Sequence, residues 1–250
     1  MSEETSNSQQ ERRVRDMHTI STMQGLPPGR NVHHIGLLDL RGVLPEQIAK
    51  VEEMHTVDVL LLEEETRSLL LPHTLHHVGS TIVAAPEERV LVTPQLDISR
   101  SGMESLPGGQ RIIVMGNVFF QPDVPPALVA EKFESLRVFG VLIACAGVHG
   151  ALLGKMQILN GVTLTLPDEI GTIVRAQGET QMSREYLSAL PEGVTLINIG
   201  KMQLQEDLPA EGLRTKFVGY YNVGETSGPM SLVAILQARC PVNLGTFRRS

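Results

Sequence analysis

The stretch Leu106–Gly116 reads LPGGQRIIVMG. It has counterparts in LPPGRNVHHIG, which starts at Leu26, and LPEGVTLINIG, which starts at Leu190, at offsets of 80 and 84 residues. Each copy holds Leu-Pro, a Gly at its fourth place and a Gly at its eleventh. Self-similarity at a fixed offset is the mark of a repeat architecture. The second and third copies stay aligned at an offset of 84 without gaps. Ser99-Arg100 matches Ser183-Arg184, Asp123 matches Asp207 and Pro125 matches Pro209. Lys132-Phe133 matches Lys216-Phe217, Gly140 matches Gly224 and Gly161 matches Gly245. The first copy drifts after Met54 but keeps the order of features.

Each module subdivides. RIIVMGNVFF, SLRVFGVLIA, QILNGVTLTL, TLINIGKMQL and GYYNVGETS are rich in Val, Ile, Leu and Tyr with rough alternation, which predicts strands. Between them, Leu44, Ile48, Val51 and Met54 follow a helical face. So do Val148, Leu152 and Met156, and Leu232, Ile235, Leu236 and Cys240. Pro45, Pro125 and Pro209 stand at or near helix starts, where a missing N–H costs nothing. Ser99 and Ser183 stand where an N-cap belongs. Glycine spacings of 24 (Gly116 to Gly140) and 21 (Gly140 to Gly161) recur in the third module. The next step, about 17 residues from Gly161 to Gly178, leaves no room for a helix.

A strand, a turn, a short helix and a return within 21 to 24 residues resembles the leucine-rich-repeat class of α/β solenoids, over about residues 30–247. The likeness lies in period and rhythm. Glycine, not the usual asparagine, is the regular mark, and Asn160 and Asn198 differ in phase. The fold expected is α/β: an elongated solenoid of about eleven strand-plus-helix rungs at roughly 4.8 Å each, with one parallel sheet. Its modules span 26–105, 106–189 and 190–250, forming one domain over 25–250, after a polar, disordered tail over 1–24 that carries the basic cluster Arg12, Arg13 and Arg15.

Composition narrows the functions. The chain has 250 residues, 42% apolar and without Trp, enough for a real core. The longest apolar run, Phe139–Val148, is too short to span a bilayer, and the polar N-terminus does not read as a secretory signal. A net charge of −7 argues against general nucleic-acid binding. Two cysteines, Cys145 and Cys240, in apolar settings read as small buried hydrophobes in a reducing compartment, so a cytoplasmic location is expected.

Histidine is the one chemically interesting enrichment. His33, His34, His55, His73, His76 and His77 fall within 45 residues, and His33, His55 and His77 are 22 apart. Neutral imidazole is a common metal ligand, so His33, His34, His55, His76 and His77 are candidate ligands. Their phase relative to the glycines differs, which favours polar or capping roles. The run Glu63–Glu65 suits a solvated helix start better than calcium. GVHGALLGK (Gly147–Lys155) has His149 where a phosphate loop needs its first Gly and Met156 after the Lys, so it is not one.

No Ser-His-Asp, HExxH or CxxC pattern appears, and no cofactor is expected. The repeat predicts a non-enzymatic structural or protein-interaction scaffold that forms homo-oligomers through solenoid ends or faces. Val242, Leu244 and Phe247 in the last strand pattern are the expected interface, because open solenoid ends need caps or partners. The alternatives are a metal-binding module on the histidine cluster and a carbohydrate-active or carbohydrate-binding β-solenoid, for which Asp39, Asp58 and Lys155 are the remaining candidates.

Overall fold

The computed structural model describes residues 16–22, 32–48, 53–70 and 74–249. Arg12, Arg13, Arg15 and His73 lie outside the described residues. The chain divides into two compact units, Met1–Arg89 and Val90–Ser250.

The first unit contains β1 (Asp16–Thr22), β2 (Val32–Asp39), α1 (Pro45–Ile48), β3 (Glu53–Leu62), α2 (Glu64–Leu70) and β4 (Thr74–Val83). Its four strands form one parallel sheet in chain order. Leu38, Leu40, Val57, Leu60 and Leu62 bury against Ile48 and Leu70 of the helices. Two expectations shift here. Asp16–Thr22, assigned by composition to the tail, form β1, because an outer strand needs backbone partners on only one side and β2 supplies them. The helical pattern from Leu44 to Met54 also does not hold to its last member: Met54 belongs to β3.

The second unit opens with β5 (Arg89–Ile98), α3 (Arg100–Ser105), β6 (Gln110–Phe120), α4 (Pro126–Lys132), β7 (Phe133–Phe139) and β8 (Val141–Cys145). There follow α5 (Ala146–Leu152), β9 (Met156–Ile158) and β10 (Val162–Leu166). The next repeat supplies β11 (Ile173–Ala176), β12 (Glu179–Met182), α6 (Arg184–Ala189), β13 (Val194–Asn198), β14 (Lys201–Leu204) and α7 (Ala210–Lys216). It closes with β15 (Phe217–Asn222), β16 (Glu225–Gly228), α8 (Met230–Ala238), β17 (Val242–Asn243) and β18 (Thr246–Arg249).

One turn of chain therefore has a first arm, a glycine corner, a second arm and, in most turns, a short helix. Equivalent arms of successive turns pair in parallel. At the corners Gly116 and Gly140 hold φ of 143° and 144°, a backbone closed to side chains. A Cβ on Gly140 would also lie 2.6 Å from the Gly116 carbonyl oxygen.

The mixed α/β character, parallel pairing and short helices match the sequence expectation. The single continuous sheet does not: the described strands form four sheets. Two causes are visible. The corners turn the chain between two arms, so in the third repeat first arms build β11-β13-β15-β17 and second arms build β12-β14-β16-β18. The stack also restarts after residue 166. β10 pairs with β8, and β11 pairs with β13 instead of β10. No helix lies between β10 and β11 to carry the chain back over the core, and Pro167–Thr172 lead into a new sheet. The paired repeat thus begins one turn before each Leu-Pro landmark.

Each repeat of this unit has its own core. Val114, Phe120, Phe133, Leu136, Leu142 and Leu152 centre the first, with the Phe120 and Phe133 rings edge to face at 6.1 Å. Leu196, Leu204, Leu213, Phe217, Tyr220 and Leu236 centre the second. The Ser99 hydroxyl accepts the Gly102 N–H at 3.1 Å and Ser183 accepts the Tyr186 N–H at 3.2 Å, so both sequence-assigned N-caps are real. Ser99→Ala and Ser183→Ala should each cost about 1 kcal/mol, read as a lowered urea midpoint with unchanged slope.

Candidate functional site

The two repeats of the second unit meet face to face. On the second-arm sheet of the first, Val118, Phe120, Leu142 and Ala144 enter their own core. The alternate residues Phe119, Ile143, Cys145, Leu164 and Leu166 are buried too, in a cluster with Ile197 and Tyr221 from the first-arm sheet of the next repeat. Strands covered on both faces carry continuous apolar runs, and VLIAC is one. At the margin, the Arg175 guanidinium makes two hydrogen bonds to the Asp97 carboxylate, at 2.5 and 2.9 Å, and lies 4.2 Å from the centre of the Phe119 ring. The Arg175 hydrogen bonds hold the Asp97 carboxyl below its ordinary range. The pair's stabilisation is therefore present above the unfolded carboxyl pKa, about 3.9, and is lost as pH falls through the lower folded value.

The same face of the third repeat's second arms has a different composition. At the positions of Phe119, Ile143 and Leu164 stand Gln203, Ser227 and Arg248. Arg248 pairs with Glu225 at 3.4 Å and Lys201 with Glu179 at 3.9 Å.

The predicted interface residues lie on the last turn. Among the described residues β17 and β18 are edge strands, each paired on one side only. Leu244, between them, is 43% exposed. Val242 is half-buried beside the inter-repeat cluster. Phe247 is half-buried, its ring 6.1 Å from that of Tyr220.

Behind this edge runs a polar ladder that the sequence reading missed. Asn198, Asn222 and Asn243 are in register on β13, β15 and β17. Asn198 Nδ2 donates to Asn222 Oδ1 at 3.0 Å, and Asn222 Nδ2 donates to Asn243 Oδ1 at 2.8 Å. The Thr226 hydroxyl donates to Asn222 Oδ1 at 3.1 Å and lies 2.5 Å from the Tyr220 hydroxyl. Burial pushes the Tyr220 phenol far up. The signal was available: each asparagine stands two residues before Gly200, Gly224 or Gly245.

Beside the inter-repeat link, Glu169, Ile170, Val218, Tyr221, Arg239 and Cys240 help line a cleft of about 470 Å³. The Arg239 guanidinium is engaged by the Phe217 carbonyl. Lys155, its counterpart one repeat earlier, donates to the Phe133 carbonyl at 3.0 Å. Lys155, weighed for sugar chemistry, is thus held by a backbone carbonyl at the repeat's inner turn. Asp39 pairs with Arg41 at 2.8 Å, and Asp58 is exposed. Glu64 and Glu65 begin α2, the solvated helix start expected of them. Cys145 is buried, Cys240 is half-buried and both are free thiols; burial raises the pKa of each.

The candidate histidines all lie in strands, His33 and His34 in β2, His55 in β3, His76 and His77 in β4. The register pairs His33 with His55 and His55 with His76. It does not bring His77 into that column, although the 22-residue spacing points to it. The step from β3 to β4 is 21 residues, as it is between Gly140 and Gly161 and between Gly224 and Gly245.

No protein-family model, curated protein or solved structure matches the chain. Among the described residues no helix is long and apolar enough to cross a membrane.

Proposed function

We propose that this protein is a cytoplasmic, non-enzymatic interaction scaffold, built of short solenoid-like stacks, that associates with further copies of itself. One observation carries the reading: among the described residues the outer edge of β17 and β18 is paired on one side only, leaving a row of backbone groups with the exposed Leu244 beside it. Strand addition at such an edge supplies affinity through main-chain hydrogen bonds.

Sedimentation at micromolar concentration tests the reading. The native chain should run as an oligomer, and Leu244→Glu should shift it to monomer with its circular dichroism retained. A native chain that is wholly monomeric, or an oligomer indifferent to Leu244→Glu and to removal of residues 241–250, rejects it.

A further inference from the structure

We propose that His33, His55 and His76, in register on the three adjacent parallel strands β2, β3 and β4, bind one divalent transition-metal ion of the zinc class. In-register neighbours on parallel strands are about 4.8 Å apart, so the outer two members of the column are separated by roughly two strand spacings. Zinc–nitrogen bonds are about 2.0–2.1 Å long, and neutral imidazole is among the commonest ligands of this class of ion. Three histidines and an open fourth position for water make a coordination set that zinc accepts.

Two further observations favour a ligand role. The first is where the column stands in the repeat. His33 occupies the place of Ile113 and Ile197. In the third repeat the column from that place is Ile197–Tyr221–Val242, and in the second it is Ile113–Arg137–Gln157. A position that is variable elsewhere is imidazole at three successive turns here. The second is backbone strain beside its central member. Thr56, the residue after His55, has φ of 55°, a region that a β-branched residue enters only at a cost. Such strain collects at ligand clamps and other functional places.

The test is titration of the full untagged chain with zinc chloride, followed by calorimetry, and with cobalt chloride, followed by its visible ligand-field bands. One ion should bind per chain, and it should be released on acidification through the imidazole range near pH 6.5. His33→Gln, His55→Gln and His76→Gln should each weaken zinc binding at least about 100-fold, more than loss of an outer partner usually costs. His34→Gln and His77→Gln, which replace the off-column neighbours, should leave it within about twofold of native. Zinc should raise the melting temperature of the native chain and not that of His55→Gln. This second readout keeps the comparison valid if one variant is itself less stable. No saturable binding to the native chain overturns the site, and so does a loss at His77→Gln equal to that at His76→Gln.

Discussion

Gly224→Ala should be among the most damaging single substitutions at the described residues, lowering stability by more than about 4 kcal/mol. A Cβ on Gly224 would lie 1.9 Å from the Gly200 carbonyl oxygen and 2.8 Å from its carbon, so two backbones must part to admit one methyl group. That oxygen also accepts the Glu225 N–H at 2.8 Å, and the Gly224 carbonyl accepts the Thr246 N–H at 2.9 Å. Moving the turns apart therefore strains the ladder bonds on both sides of the corner. Gly200 and Gly245 are equally tight, at 2.0 and 1.8 Å from the glycine oxygen one turn earlier, so relief cannot pass to a neighbouring turn. Domain stability is itself only about 5–15 kcal/mol, and a loss of this size should leave much of the chain unfolded at 37 °C. Urea denaturation checks it, with Gly171→Ala as the comparison, since a Cβ there meets nothing within 4 Å. Equal midpoints for the two variants would remove the stacked corner as a source of stability.

Asn222→Ala should come next, at about 3–5 kcal/mol. The side chain is fully buried. Its amide donates to Asn243 Oδ1 and to the Thr246 carbonyl, at 2.8 and 3.2 Å, and its oxygen accepts from Asn198 and Thr226. Truncation strands several of these groups away from water at once, and an unsatisfied buried polar group costs about 1–3 kcal/mol. Because the ladder acts as a unit, the cost should not add to that of Tyr220→Phe. A double-mutant cycle by chemical denaturation should show a coupling of about 0.5–3 kcal/mol, and strict additivity would mean that the two side chains contribute separately.

Much of this fold is legible before any coordinates. The offset of 84 residues locates strands, corners and the caps at Ser99 and Ser183, because each rests on local backbone chemistry that repeats. What stays hidden is set by pairing across the chain. The short step from Gly161 to Gly178 marks where a helix is missing, yet it does not say that β11 will start a new sheet. That outcome depends on which faces are apolar. The runs VLIAC and VTLTL differ from KMQL and ETSG in the residues that alternate away from their own core. The asparagine ladder escapes a pattern required of every repeat, because asparagine holds that place only in the third, where the others carry His34 and Val114. The histidine column needed the register itself, since one residue of slip between β3 and β4 exchanges His77 for His76.

The contact between the second and third repeats joins unlike surfaces, a second-arm sheet face on one side and a first-arm sheet face on the other. A junction between unlike surfaces is heterologous, the kind that builds open arrays where its rotation does not close. Gln203, Ser227 and Arg248 make the equivalent face of the third repeat unlike the one that forms this junction, because it carries amide, hydroxyl and guanidinium groups in place of Phe, Ile and Leu, and further copies are left the strand edge of β17 and β18 instead.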